Sequence, residues 1–247
     1  MQKFYDEEPS TDLKNNFFDI DDKFSHQVSV ASSFVKTEAQ KNETGREIGD
    51  YIIINSPNFL YGDDVVTEYT QKIFFKYFKR FVKSKPKKVL IAGIGNEYVE
   101  SDCFGPLCVN KLELKKNLFA IKPNVFENTN ILSFDVVDGI CKVVKPDLVV
   151  LVDSLGTKNI KRLTCSFQLT NIGLLPGGAL GDTNKTINKK NLGVDCLVIG
   201  VPAMIFAGGL DPNLPARYKN IILTPKDVRI TLDSCAQIVC NAISKFL

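Results

Sequence analysis

The sequence predicts an α/β fold, in which a parallel or mixed sheet carries helices on both faces. Residues 88–93, 148–152 and 196–201 are continuous apolar runs, and such runs are typical of strands that are buried on both faces. Helix-like segments lie between them, and 247 residues with 44% hydrophobic and 24% charged side chains suffice for one domain with a full core. We therefore expect residues 1–247 to form a single domain.

Each predicted helix has a local signal. Residues 63–82 place apolar side chains at helical spacing, which predicts an amphipathic helix. Pro106 suits the first turn of a helix that runs from residue 105 to about residue 118. Ser133 is expected to cap a helix that ends at residue 144, and Thr224 is expected to cap the C-terminal helix.

The remaining segments predict shorter strands, a loop and an arm. Residues 51–54 predict a strand, residues 125–126 predict a second short strand, and residues 164–169, which alternate in polarity, predict an edge strand. Residues 171–191 are rich in Gly, Asn and Lys and predict a long loop. Residues 1 to about 45 are polar and weakly periodic, which predicts an irregular or extended N-terminal arm.

The composition argues against several classes of function. The single histidine, His26, has no GxSxG motif beside it for a serine triad, and one histidine cannot supply a zinc site that needs two. The net charge is only +3, and the lysine clusters lack the interleaved aromatic residues of a nucleic-acid surface. No apolar run reaches the roughly 20 residues of a membrane span. The polar, acidic start predicts no signal peptide, and seven cysteines without CxxC spacing predict a reduced, cytosolic protein.

Two aspartates are the candidate catalytic residues. Asp102 follows the predicted strand of residues 88–93 and precedes a helix, whereas Asp153 directly ends the apolar run of residues 148–152. Taken singly, each aspartate is as consistent with a structural role as with a catalytic one. Asp102 would cap the following helix, and Asp153 would accept a hydrogen bond from a nearby amide. Taken together, they lie where open α/β sheets bind ligands. Two carboxyl groups within a few ångströms split their pKa values, one rising and the other falling, and such a pair can hydrolyse a peptide bond.

Two glycine-rich segments flank these aspartates in the predicted sheet. Gly93 and Gly95 follow a strand as in dinucleotide-binding loops, but Tyr98 stands where that fingerprint requires a third glycine. We therefore predict no bound cofactor. Gly177 and Gly178 lie in the second segment, residues 173–181, which is either a flexible surface loop or a source of backbone N–H groups for an oxyanion.

Five segments match, in order, the motifs of one known family. Residues 93–96 (GIGN) resemble its GLGN, residues 99–106 (VESDCFGP) resemble its VTPDALGP, and residues 145–155 (KPDLVVLVDSL) resemble its NPDxxIAIDAL. Residues 167–178 and 223–228 resemble its IQISDSGIHPGSG and VTPKEV. Residues 11–13 (TDL) also resemble the mature N-terminus of the family, RTDLA. On these motifs, which together span nearly the whole chain, the sequence resembles the germination protease family of spore-forming bacteria, and more distantly the hydrogenase-maturation protease superfamily.

The resemblance implies an activity and a set of site residues. It implies an aspartate-dependent endopeptidase that initiates the degradation of small acid-soluble spore proteins during germination, in the cytoplasm of the spore core. The fold implied is a three-layer α/β/α arrangement of the phosphorylase/hydrolase-like kind, with a mixed, mostly parallel sheet. Asp102 and Asp153 match the two catalytic aspartates, and Asn96 is grouped with Gly177 and Gly178 as substrate-binding and oxyanion-loop residues.

The resemblance also implies how the protein is processed and assembled. Family members are zymogens, so residues 1–10 would be a propeptide and residues 11–50 an N-terminal arm. They assemble as homotetramers. For this chain we also expect no bound metal, no direct nucleic-acid binding and no membrane association.

Departures from the family motifs leave two alternatives open. The arginine before the TDL motif is Ser10 here, the loop histidine is Leu175, and residues 123–133 replace a glycine-rich segment. These changes favour, as one alternative, a catalytically degenerate homologue with a binding role. The other alternative is a metal-dependent protease of the hydrogenase-maturation type, which requires a histidine ligand, and His26 is far from the motifs in sequence.

Overall fold

The computed structural model describes residues 28–56, 64–82, 85–177 and 185–246. Within these ranges the strands are β1 (Ser29–Val35), β2 (Gly49–Asn55), β3 (Val89–Gly93), β4 (Leu118–Ile121), β5 (Leu148–Thr157), β6 (Ser166–Thr170), β7 (Asp195–Phe206) and β8 (Ile222–Leu223). The α-helices there are α1 (Glu38–Thr44), α2 (Asp64–Phe81), α3 (Phe104–Lys111), α4 (Phe126–Thr129), α5 (Ser133–Val144), α6 (Lys189–Leu192), α7 (Ala207–Leu210), α8 (Ala216–Lys219) and α9 (Val228–Phe246).

The strands form one mixed sheet in the order β1-β2-β6-β7-β5-β3-β4, and β8 pairs with β7. The consecutive strands β7, β5, β3 and β4 are parallel, whereas β1, β2, β6 and β8 join through antiparallel pairs. The predicted mixed α/β sheet is therefore confirmed. Its parallel part is four of the eight strands and extends to the β4 edge, so "mostly parallel" describes one side of the sheet rather than the whole.

Helices cover both faces of the sheet, which confirms the predicted three layers. Along β5, Val150 points into one core cluster and Leu151 points into the other, as the two-residue period of a strand requires. The first cluster packs the sheet against α2, α3 and α9, and the second packs it against α5. Both faces of the central strands are thus apolar, which is why their sequences are continuous apolar runs.

The region after α3 differs from the prediction. The helix expected to reach residue 118 ends at Lys111 because Leu112 adopts an extended conformation (φ −72°, ψ 129°). The next strand, β4, lies at Leu118–Ile121 and pairs in parallel with β3, so the strand predicted at residues 125–126 is wrong. Phe126 is instead the first residue of the short helix α4 and is 40% exposed.

Two predicted helix caps are also wrong. The Ser133 hydroxyl donates to the Asn124 carbonyl at 2.8 Å, and the N-cap position of α5 is occupied by Leu132. The Thr224 hydroxyl donates to the Ala203 carbonyl at 2.8 Å, and α9 begins at Val228. Both hydroxyls therefore join a loop to a neighbouring element instead of closing a helix end.

The strands β6 and β7 extend the sheet beyond the prediction. β6 lies between β2 and β7, so it is an interior strand and not an edge strand. β7 does not end at Pro202 but continues to Phe206. Pro202 lies opposite Leu155 and the next pair is Gly156 with Met204, so Ala203 is an extra residue of β7 without a partner in β5. An irregularity of this kind accommodates a proline because no ladder hydrogen bond is required from its nitrogen.

The N-terminal arm is described from residue 28 onwards. Its β1 part is extended, as predicted, and pairs antiparallel with β2. The helix α1 was not predicted; the Thr37 hydroxyl caps it by accepting from the Gln40 N–H at 3.2 Å. His26 and the expected propeptide, residues 1–10, lie outside the described residues.

Candidate active site

Asp102 is held by the turn that follows β3. Gly95 has a φ of +112°, and a Cβ at this position would collide with the Asp102 carbonyl oxygen, so glycine is required there. The Asp102 carboxylate Oδ2 accepts a hydrogen bond from the Asn96 N–H at 2.7 Å. The N-cap of α3 is Cys103, which makes no side-chain capping bond. The carboxylate of Asp102 is therefore bonded to its own turn and does not cap the helix.

Asp153 lies within β5, opposite Gly200 of β7. It is only 8% exposed, and by strand alternation it shares the sheet face of Leu151. Burial raises the pKa of the Asp153 carboxyl well above its ordinary value, and the negative charge of Asp102 raises it further, against the opposing effect of a hydrogen bond from the Ser154 N–H. A buried carboxyl of this kind keeps its proton to higher pH than an exposed carboxyl does.

The pKa of Asp102 is raised to about 6. Burial is the main cause, the charge of Glu127 adds to it, and the Asn96 N–H acts in the opposite direction by stabilising the carboxylate. Both aspartates therefore titrate above their ordinary range, with Asp153 the higher. The expectation that one pKa falls is wrong, because burial outweighs the hydrogen bonds in both cases.

The start of α3 is packed tightly against the two strand ends. A Cβ at Gly105 would collide with the carbonyl oxygens of Ile94 and Val152. The Ser154 hydroxyl accepts a hydrogen bond from the Phe104 N–H at 3.3 Å, which satisfies one of the amides that a helix N-terminus leaves unpaired. These contacts join Phe104, two residues after Asp102, to Ser154, the residue after Asp153.

The two aspartates line a common cavity of about 410 Å³. Asn96 and Gly177 line it as well, so the structure brings four of the five predicted site residues together; Gly178 lies outside the described residues. The Asn96 N–H is engaged by Asp102, and its side-chain oxygen accepts from the Tyr98 N–H at 3.0 Å. A role of Asn96 towards an oxyanion thus remains a prediction for its side-chain NH₂ group.

The sequence interpretation missed several residues of this cavity. Glu127 is a third carboxylate on its wall, and it lies in the segment that departs from the family motif. Met204 and Ile222 contribute apolar wall, which follows from the extension of β7 beyond Pro202 and its pairing with β8. The apolar lining residues are Ile94, Val99, Val125, Phe126, Leu155, Leu174, Leu175, Met204 and Ile222.

Within the described ranges, no group of three or more His, Cys, Asp or Glu side chains is arranged to hold a metal ion. All seven cysteines lie in these ranges and are free thiols. None of the helices described there combines the length and the apolar character that a membrane crossing needs.

Comparisons with known proteins agree with the motif resemblance. The family model described as germination protease matches residues 2–213. The germination protease of Geobacillus sp. (strain WCH70) is 30% identical over 190 residues, which are 69% of this chain and 51% of the relative. That of Halalkalibacterium halodurans is 29% identical over 209 residues, covering 77% and 56%. The chain thus spans about half the length of the curated relatives it matches.

Solved structures give weaker similarity. The [NiFe] hydrogenase maturation protease HycI from Thermococcus kodakarensis KOD1 has a TM-score of 0.44 and 18% identity, covering 70% of this chain and 99% of its own. The hydrogenase maturating endopeptidase HYBD from E. coli has a TM-score of 0.37 and 14% identity, covering 64% and 93%. It is the family match, over residues 2–213, that settles the assignment: the chain belongs to the germination protease family.

Proposed function

We propose that this chain is an endopeptidase in which Asp102 and Asp153 act as a catalytic pair on small acid-soluble spore proteins. The observation that carries the proposal is the common cavity, in which the buried Asp153 carboxyl and the half-buried Asp102 carboxyl interact and both have raised pKa values. Groups poised in this way perform proton transfer near neutral pH, whereas ordinary surface carboxylates are fully ionised there. The family match supplies the link to peptide hydrolysis and to spores.

The two pKa shifts suggest a division of roles. Asp102 has a pKa of about 6, and its negative charge adds to burial in raising the pKa of Asp153, which favours Asp102 as the base and Asp153 as the acid. In the proposed reaction Asp102 takes a proton from a water molecule whose oxygen attacks the peptide carbonyl carbon. Asp153 gives its proton to the peptide nitrogen as the C–N bond breaks, so that proton transfers balance. Backbone N–H groups near Gly177 and Gly178 would stabilise the oxyanion formed in between.

The cavity walls favour an apolar substrate side chain beside the cleaved bond. Leu155, Leu175 and Met204 lie on the same cavity wall as the aspartates, and apolar walls of this kind gain from covering an aliphatic or aromatic side chain. A small, unfolded protein substrate offers such a side chain without first having to unfold. As further parts of the proposal, the protein acts in the cytoplasm of the spore core, is made as a zymogen and assembles as a homotetramer.

The direct test is to incubate a small acid-soluble spore protein with the purified full chain and, in parallel, with the chain from which residues 1–10 have been removed, and to identify the fragments by mass spectrometry. The Geobacillus relative serves as the positive control. We expect a small number of defined cuts next to apolar residues, and the form that cuts is the parent chain of the experiments below. A substrate left intact by both forms under conditions in which the relative cuts it would reject the endopeptidase function.

A binding protein without activity is the second candidate. The observation in its favour is that family departures reach the cavity itself: Phe126, Glu127 and Leu175 all line it. The same experiment separates the two candidates when a pull-down is added. Substrate that is retained but uncut would favour the binding role.

A further inference from the structure

One edge of the sheet runs along the cavity without a strand partner on its outer side. β8 pairs antiparallel with the end of β7, with Leu223 opposite Ile205 and Ile222 opposite Phe206. In the part of the chain that the structure describes, the sheet places no further strand beyond β8. The neighbouring residues Ile221 and Leu223 are 46% and 42% exposed, so this edge is open to solvent.

The backbone of Ile222 points towards the open side. The Ala207 N–H donates to the Ile221 carbonyl at 2.8 Å, so these two residues occupy a hydrogen-bonded position of the antiparallel ladder. This one bond joins them, because the Ile221 N–H donates to the Tyr218 carbonyl at 3.1 Å. Hydrogen-bonded positions alternate with pairs that exchange no hydrogen bonds. The next pair, Phe206 and Ile222, is therefore of the second kind, and the N–H and C=O groups of Ile222 face away from β7.

The side chain of Ile222 connects this edge to the two aspartates. Ile222 lines the same cavity as Asp102 and Asp153, so a chain lying along β8 passes the cavity. An extended peptide that adds to a sheet edge gains main-chain hydrogen bonds from the edge and places alternate side chains into pockets. This is a sequence-tolerant way to hold an unfolded substrate across a cleavage site.

We propose that β8 is a docking edge for the main chain of an extended substrate segment, which pairs with the N–H and C=O of Ile222 and directs an apolar side chain into the cavity. The proposal rests on the proposed endopeptidase function. It makes a specific claim about backbone atoms: a single substrate N–H bonds to the Ile222 carbonyl, while the N–H groups of the residues on either side of it point away from β8.

The first test alters the substrate and leaves the protein unchanged. A peptide spanning a mapped cleavage site is N-methylated at one backbone nitrogen at a time, and both its binding by fluorescence anisotropy and its kcat/KM are measured with the full chain. We expect a loss of about three- to tenfold for the nitrogen that pairs with Ile222, the usual range for one hydrogen bond. The nitrogens one residue to either side, away from the cleaved bond, are expected to tolerate methylation. A flat profile would overturn the docking edge.

The second test alters the protein at the same backbone position. Ile222→Pro removes the outward N–H, a change that edge strands tolerate when the N–H faces solvent, whereas Ile222→Val keeps it as the matched control. Thermal melting establishes that both variants are folded. We expect Ile222→Pro to weaken peptide binding about three- to tenfold relative to Ile222→Val, mostly through KM. Equal binding of the peptide by the two variants would refute the proposal that β8 is a docking edge.

The two readouts separate this inference from the function on which it rests. Peptide that binds with sensitivity at the pairing nitrogen but is never cut would retain the docking edge and reject the endopeptidase. Peptide that is cut with no such sensitivity would retain the endopeptidase and reject the edge. Peptide that neither binds nor is cut would reject both.

Discussion

The Oδ2 atom of Asp102 accepts a 2.7 Å hydrogen bond from the backbone N–H of Asn96. This bond stabilises the ionised carboxylate, whereas burial and the charge of Glu127 act against it, and the result is a pKa of about 6. Asp153 has no comparable exposure to water and keeps its proton to higher pH. The turn that holds Asp102, together with the deeper burial of Asp153, thus gives two chemically identical side chains different pKa values.

The raised pKa of Asp102 predicts a pH-dependent cost in stability. In the unfolded chain an aspartate titrates near 3.8, and in the folded chain Asp102 titrates near 6. The folded state therefore binds the extra proton between these values, so stability falls as the pH rises from about 4 to about 6. Asp102→Asn removes this loss, and we expect it to exceed the parent chain by about 1–3 kcal/mol in free energy of unfolding at pH 7.

The measurement is urea denaturation at pH 4 and pH 7, with the exposed Glu113→Gln as a control for loss of one negative charge. The gain from Asp102→Asn is expected at pH 7 and not at pH 4. A variant that is less stable than the parent at pH 7 would show that the carboxylate is stabilising, contrary to its environment in the structure.

Glu127 is expected to set the acid limb of the pH–activity profile. Its negative charge raises the pKa of Asp102, so the neutral side chain in Glu127→Gln lowers that pKa. The acid limb of kcat/KM should then move to lower pH, because Asp102 stays ionised further into the acid range. The exposed Glu43→Gln in α1 should leave the limb in place. A shift towards higher pH in Glu127→Gln would contradict the assignment of Asp102 as base.

Gly105 is expected to be essential for the packing beneath Asp102. A Cβ there would meet two backbone carbonyl oxygens, which cannot move aside as a flexible side chain does. We expect Gly105→Ala to lower the free energy of unfolding by about 3 kcal/mol, as overpacking does, and to reduce activity. Gly139→Ala in α5 is the matched control, since its Cβ would meet nothing within 4 Å; it should stabilise the chain by about 0.5–1 kcal/mol. Equal effects of the two changes in chemical denaturation would be inconsistent with this packing.

Ser154 is expected to act by positioning α3. Ser154→Ala removes the acceptor for the Phe104 N–H and leaves a buried amide unpaired, at a cost of about 1–3 kcal/mol. Because α3 begins two residues after Asp102, a shift of this helix would displace the Asp102 carboxylate. We therefore also expect kcat to fall, while the pH profile of the activity keeps its shape. The control is Ser234→Ala, whose hydroxyl bonds within its own helix at an exposed site. Full activity in Ser154→Ala would mean that the contact does not position the aspartate.

The sequence predicts this fold where local and tertiary signals coincide. Residues 88–93 and 148–152 are mainly apolar because both faces of β3 and β5 are covered by helices. Burial alone is therefore enough to identify them as strands from the sequence. Burial does not predict that β7 continues past Pro202, because this depends on an irregularity in its pairing with β5, where Ala203 has no opposite residue. Burial fails again at Leu118–Ile121, because the strand there is defined by its pairing with β3.

The site shows the same division. Asp102 and Asp153 are identifiable because each follows a buried run, and strand ends converge in a parallel sheet. Glu127 and Ile222 are not identifiable in this way: one lies in a short helix and the other in a two-residue strand, and neither segment has a sequence period. Their place in the cavity depends on contacts between elements that are distant in the chain.

The central claim is that Asp102 and Asp153 together carry peptide cleavage. It is tested most directly by single-turnover cleavage of a small acid-soluble spore protein by the parent chain, Asp102→Asn and Asp153→Asn, with circular dichroism to establish that all three are folded. We predict that each variant loses at least about 100-fold in rate, the usual contribution of a general acid or base. A folded variant of either aspartate that cuts at the parent rate would contradict the account.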